Sequence, residues 1–133
     1  MLNAKEVATS WISKQANGDI EGSFAKLHEN LTWTITGTTP ISGRHSKEHM
    51  ITEIFQKLAP VMSGEFIVDE VIGDGDRAIV LARAIGKGPT GPYNQHYCLV
   101  LRIADDKVIE IVEYCDTALI ETALCGRKLV DAA

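Results

Sequence analysis

The second half of this chain alternates, and its connectors are too short for anything but hairpins. Runs at 65–72, 77–85, 93–103 and 107–115 are rich in Ile, Val, Leu and Ala. They are separated by Gly-Asp-Gly-Asp (73–76), Gly-Lys-Gly-Pro-Thr-Gly-Pro (86–92) and Ala-Asp-Asp-Lys (104–107). A parallel crossover needs about a dozen residues or more, so links of this length predict an antiparallel meander.

The first half carries the other period. Asn3 with Glu6 reads as a capping pair, and Ala4, Val7, Ala8, Trp11 and Ile12 share one helical face. Asn17-Gly18 stops that helix, because Gly takes φ > 0 without strain. Asp19 caps a short second helix that turns Ile20, Phe24 and Leu27 inward. At 31–36 the period changes to two, with three threonines opposing Leu31, Trp33 and Ile35. A loop is expected over 37–43. Ser46 then caps a third helix with Met50, Ile51, Ile54, Phe55 and Leu58 on one stripe, ended by Pro60. A last helical piece over 117–125 closes on Gly126. Helices first and strands later predict an α+β fold, with helices packed on one face of a sheet.

Composition excludes several partner classes. The chain has 133 residues, 45% of them hydrophobic and 23% charged, which fits a single globular domain over 1–133. A chain of this size buries roughly two-thirds of its unfolded surface, enough for a core and a pocket. The net charge of −5 comes without a basic stripe, so no nucleic-acid partner is expected. No apolar run approaches the ~18 residues of a span and no secretory leader pattern opens the chain, so no membrane partner is expected and a cytoplasmic location is the default. Cys98, Cys115 and Cys125 lack CxxC spacing and read as free, mostly buried thiols.

Chemistry concentrates at 107–116, Lys-Val-Ile-Glu-Ile-Val-Glu-Tyr-Cys-Asp. Simple alternation puts Ile109, Ile111, Glu113 and Cys115 on one strand face, so a carboxylate sits in an apolar row. Such a group must find a partner, hold a proton or meet a ligand. An apolar surround would raise its pKa toward the range useful for proton transfer. The competing reading is a structural ion pair with Arg83 or Arg102. Asp116, just before Thr117-Ala-Leu, reads either as the cap of the last helix or as a second pocket acid.

Three stretches carry a resemblance: Asn17-Gly-Asp-Ile-Glu-Gly22, Trp33-Thr-Ile-Thr-Gly-Thr-Thr-Pro-Ile-Ser-Gly43, and Tyr93-Asn-Gln-His-Tyr-Cys98 leading to Glu113-Tyr-Cys-Asp-Thr-Ala-Leu119. With the order of elements, they make the chain similar to the nuclear-transport-factor-2-like superfamily, in its SnoaL-like, ketosteroid-isomerase-related branch. The resemblance spans nearly the whole chain. It implies a cone-shaped roll, in which a curved, mixed, mostly antiparallel sheet and N-terminal helices enclose a cavity. It also implies a homodimer through the sheet's outer face. It identifies a fold better than an activity, since such folds host many functions.

The family's catalytic residues carry over poorly. Trp11 stands where the isomerases have a helix-borne tyrosine, Thr34 or Ile35 where they have a general-base aspartate, and Leu99 near their protonated aspartate. The superfamily also includes limonene-epoxide hydrolases, and the resemblance implies that their final-strand aspartate corresponds to Glu113, but their Arg-x-Asp is absent, because Arg83 is followed two residues later by Ile85 and Arg77 by Ile79. Asp116 is the nearest counterpart of the polyketide cyclases' pocket acid.

The expected catalytic set is therefore Glu113, Asp116 and Arg83, with Trp11, Trp33, Phe55 and Tyr97 as substrate-binding walls. Trp11 and Trp33 read equally as core rings, and Tyr97 shares the parity of Leu99 and Leu101. His45 and His49 have i, i+4 spacing, but no third ligand of matching spacing accompanies them, so no metal is expected. No GxGxxG, P-loop or GxSxG occurs, and no cofactor is implied. The expected partner is a small-molecule ligand. The function expected is isomerisation, cyclisation or hydration of a partly apolar organic substrate by carboxylate acid/base chemistry. The alternatives are a non-catalytic binder of a hydrophobic ligand and a structural dimer of the same fold.

Overall fold

A computed structural model describes residues 2–133. Helix α1 (Ala4–Ala16) starts where Asn3 accepts the Glu6 N–H at 2.9 Å, and it buries Ala4, Val7, Ala8, Trp11 and Ile12. It stops at Asn17-Gly18, where Gly18 takes φ 82°. Helix α2 (Ile20–Ala25) starts from Asp19, which accepts the Gly22 N–H at 2.9 Å. Ser23 is the residue it buries fully, while Ile20 and Phe24 are only half-buried.

Seven strands follow: β1 (Leu27–Ile35), β2 (Gly43–Ser46), β3 (Ser63–Asp74), β4 (Arg77–Gly88), β5 (Gly91–Pro92), β6 (Gln95–Ala104) and β7 (Lys107–Cys115). They form one sheet in the order β2-β1-β7-β6-β4-β3, with β5 beside β4. β3, β4, β6 and β7 make the expected meander, and β1 joins β7 in parallel, so the sheet is mixed. At the β6–β7 turn Asp105 and Asp106 take φ of 54° and 57°, the paired positive φ of a tight hairpin.

Three strand features depart from the sequence reading, one being the two-residue β5, which lies inside the expected 86–92 connector. β1 begins at Leu27, because the polar stretch after it is carried into the sheet by the Leu27↔Val108 pairing. β2 lies inside the expected loop; its four residues are largely exposed and show no apolar alternation to signal a strand.

Bulges interrupt pairing at Val68/Glu70 and at Arg102/Ile103, and each bends its strand. The second one changes a face assignment. Arg102 pairs with Glu110 but Ile103 with Val108, so Ile109 is the extra residue. Val108, fully buried, takes the inner position expected for Ile109, which is half-buried. Beyond the bulge, Ile111 and Glu113 keep the expected inner face.

The inner face brings Ala78, Val80 and Ala82 of β4, Leu99 and Leu101 of β6, and Trp33 and Ile35 of β1 into one core under α1. A third helix (47–61) covers the other end of this face. Ser46 caps it by accepting the His49 N–H at 3.1 Å. Through Met50–Phe55 it widens to i→i+5 hydrogen bonds, with the Gln56 N–H reaching the Ile51 carbonyl. The C-terminal turns (117–124) widen in the same way, with Cys125 N–H on Ile120 O. Among the described residues no helix is long and apolar enough to cross a membrane.

Candidate functional site

Where the two widened helical segments face the sheet they leave a cavity of about 310 Å³. Met50, Ile54, Phe55 and Leu58 of the third helix form one wall, and Ile120 and Leu124 of the C-terminal turns another. The sheet supplies Trp33, Ile35, Tyr97, Leu99 and Glu113, and the segment leading into β6 adds Tyr93. A volume at the lower end of ordinary ligand pockets, with apolar walls and few polar groups, suits one small organic molecule.

Glu113 is that site's acid. It sits opposite Leu99 on one side and Ile35 on the other, and is 9% exposed. Its backbone carbonyl accepts from Thr36 N–H at 3.2 Å and Thr36 Oγ1 at 2.8 Å, which ties β7 to the end of β1. Trp33 Nε1 donates to Oε1 at 3.1 Å, and Cys115 Sγ to Oε2 at 3.7 Å. Neither donor carries charge. Burial therefore dominates and pushes the carboxyl from 4.5 up to about 7, partly opposed by the indole and thiol hydrogen bonds. The Cys115 thiol is driven up to about 12 by burial first and then by the Glu113 charge, so it stays a neutral donor and no nucleophile.

Two hydroxyls face the same space. Tyr93 and Tyr97 share a hydrogen bond of 2.7 Å. Burial pushes Tyr93 up to about 12 and Tyr97 well above the usual phenol value, so both remain protonated near neutrality. Two hydroxyls that share one bond keep one further O–H to donate. Tyr97 pairs with Cys115 and Leu99 with Glu113, which makes Tyr97 and Glu113 diagonal neighbours on one sheet face.

A family profile for SnoaL-like domains matches residues 8–111. The chain belongs to the SnoaL-like domain family. Its likeness to solved NTF2-like proteins agrees. One from Burkholderia thailandensis superposes with a TM-score of 0.79 at 20% identity, covering 90% of this chain and 95% of that one. Another, from Burkholderia xenovorans, gives 0.71 at 25% identity, covering 92% and 98%. A curated relative, the monooxygenase AacuO of Aspergillus aculeatus, is 29% identical over 118 residues. That match takes in 86% of this chain but 66% of the relative, so this chain spans just under two thirds of its length.

Within this SnoaL-like fold, four of the expected site residues meet at the cavity: Glu113, Trp33, Phe55 and Tyr97. Three do not. Arg83 points to the opposite face of β4, where its Nε and guanidinium NH2 donate to the two Asp69 oxygens at 2.8 and 2.9 Å. Alternation is the reason, since its neighbours Ala82 and Ala84 are the ones turned inward. Arg102 is engaged with Asp76 and Glu110, so neither arginine pairs with Glu113 and the ion-pair reading is corrected. Asp116 is a cap: its Oδ1 accepts the Leu119 N–H at 3.2 Å and it does not line the cavity. Trp11 is fully buried and stands edge-on behind Trp33, with centroids 5.8 Å apart, as core rather than wall.

Tyr93 and Gln95 were missed. Tyr93 sits four residues before Tyr97, a spacing that keeps strand parity and would have flagged it. Gln95, 1% exposed, clamps the end of β7: its Nε2 donates to Asp116 O at 2.9 Å and its Oε1 accepts Asp116 N–H at 2.8 Å. No pattern around Gln95 announces that role. His45 and His49 stack at 4.6 Å, and among the described residues no group of three His, Cys, Asp or Glu side chains is placed to hold a metal.

Proposed function

We propose that this protein takes a small, partly apolar organic molecule into the cavity and exchanges a proton with it at Glu113. The observation that carries the reading is a carboxyl held near neutrality by burial, with no cation beside it, in an apolar pocket. A group with pKa near the working pH is the efficient proton carrier. The Tyr93–Tyr97 pair offers an O–H to charge developing on a ligand oxygen. Isomerisation, cyclisation and hydration are the reaction classes that need only these parts. The family and the name of the curated relative support a small organic substrate, and no activity is carried over from them.

A second reading has its own observation. Both Glu113 oxygens already accept a hydrogen bond, as expected of an acid whose only task is to hold Trp33 and a bound ligand in place. Native mass spectrometry of freshly purified protein, followed by incubation of the released ligand with protein in D2O, separates the two. Deuterium entering carbon-bound positions of the ligand, and ceasing to enter with Glu113→Gln, supports catalysis. A retained ligand without exchange leaves the binder. A cavity that retains nothing and binds neither bicyclic ketones nor aromatic amines or alcohols refutes both.

The assembly belongs to the same proposal. Outward rows Ile72–Ile79–Val100–Val112 and Leu81–Cys98–Tyr114 give the sheet an apolar outer face, suited to a homodimer. Analytical ultracentrifugation should find a dimer that Leu81→Lys dissociates. The free thiols go with a cytoplasmic location, which cell fractionation would test.

A further inference from the structure

Charge in the cavity has one sign. Among the described residues that line it, the ionisable acids are the buried Glu113 and the exposed Glu65, and there is no Lys, Arg or His. The arginines of β4 and β6 are spent elsewhere, Arg83 on Asp69, Arg77 on Glu110, and Arg102 on Asp76 and Glu110. When Glu113 ionises, its partners are an indole N–H and a thiol, which solvate the charge without cancelling it. A buried carboxylate of this kind lacks a counter-ion. The walls around it are aromatic: Trp33, Phe55, Phe66, Tyr93 and Tyr97. Such ring faces attract cations and repel anions.

We propose that the ligand is a protonated amine on an apolar body, with its ammonium on Glu113 and its body against the aromatic walls. This rests on the reading of the cavity as a ligand site and names the class of ligand it takes. An ammonium has three N–H donors. One meets the Glu113 carboxylate, and the neutral Tyr93 and Tyr97 oxygens, on the same side of the pocket, can accept another. A neutral alcohol of the same shape could donate one O–H to the ionised carboxylate but would leave its charge without a counter-ion.

Proton counting makes this testable. When an ammonium binds to protonated Glu113 one proton leaves for solvent, and when it binds to the carboxylate none does. Amine affinity therefore rises with pH up to the carboxyl's pKa and then levels. The other groups facing Glu113 stay silent over that range: Tyr93 and Cys115 lie near 12, Tyr97 lies well above its usual value, and Trp33 does not titrate. The walls from the third helix and the C-terminal turns facing it are apolar.

The experiment is calorimetric titration of the full chain with 1-naphthylmethylamine and with 1-naphthylmethanol. At about pH 8.5 the amine should bind at least about tenfold tighter than the alcohol, a preference of about 1.4 kcal/mol. At about pH 5.5 the preference should shrink, with close to one proton released per amine bound, measured in buffers of different ionisation enthalpy. Glu113→Gln should abolish the preference. If that variant fails to fold, the proton count on the unmodified chain decides alone. Equal binding of amine and alcohol at the higher pH, or a preference that ignores pH, overturns the inference. Alcohol binding without amine binding overturns it while the proposed function stands, and a pocket that binds neither removes both.

Discussion

Replacing Glu113 by Gln should make the protein more stable at alkaline pH than at acid pH, relative to the parent chain. Gln keeps the shape of the carboxyl and an oxygen for the Trp33 indole, and removes the proton equilibrium. Folding lifts the carboxyl from 4.5 to about 7, chiefly through burial. At about 1.4 kcal/mol per unit, the shift corresponds to roughly 3 kcal/mol. The sign follows from which state holds the proton. Between these two values the folded chain keeps it and the unfolded chain has lost it, so stability falls as pH rises. Below 4.5 both states are protonated and the group costs nothing; above about 7 both are ionised and the full penalty remains. The variant has no such slope.

Urea unfolding followed by tryptophan fluorescence, at about pH 4 and about pH 8.5, measures the effect as a difference of differences. Costs of the amide that do not depend on pH cancel, as do all other titrating groups that the substitution leaves alone. The advantage of the variant should grow by about 3 kcal/mol from the lower to the higher pH, or somewhat less if water follows the charge inward. A change below about 0.5 kcal/mol, or one of opposite sign, would show that Glu113 is not held in a buried, cation-free site, and the functional argument would fall with it.

Trp33→Phe removes the donor that holds the carboxyl down, so carbon-13 NMR of Glu113 should show its pKa rising beyond about 7. Gln95→Ala removes a fully buried side chain and both of its bonds to the Asp116 backbone, and chemical unfolding should register a loss of about 1–3 kcal/mol. Arg83→Ala breaks an exposed pair with Asp69 on the far sheet face, so calorimetry should find ligand binding in the cavity unchanged. Native Cys115 should alkylate far more slowly with iodoacetamide at about pH 8 than it does in urea, and mass spectrometry of the labelled peptide reads the difference.

Much of the fold was legible because its signals are local. Asn3, Asp19, Ser46 and Asp116 all cap helices, since a short polar side chain satisfies the first free N–H groups wherever a helix begins. The strands beyond residue 60 were set by alternation and by turn residues that tolerate positive φ. Glu113 was legible for a similar reason: a charge in an apolar row is conspicuous without any partner. What escaped is non-local. The bulge that moves Val108 inward answers a register between β6 and β7, and β2 exists because β1 offers it an edge. Arg83 and Glu113 are of complementary charge, yet strand parity puts a sheet between them and leaves Arg83 to Asp69.

The amino-acid order by itself determined the periodicities, the caps and the turns, and with them an α+β chain carrying one misplaced acid. Whether that acid would be neutralised by an arginine, exposed to solvent or buried among uncharged groups depended on which side chains long-range pairing brought alongside it. Tertiary structure put an indole and a thiol there, and among the described residues no cation lines the cavity with it. Electrostatic energy depends on distance and on surroundings, and neither is written in the chain until it has folded.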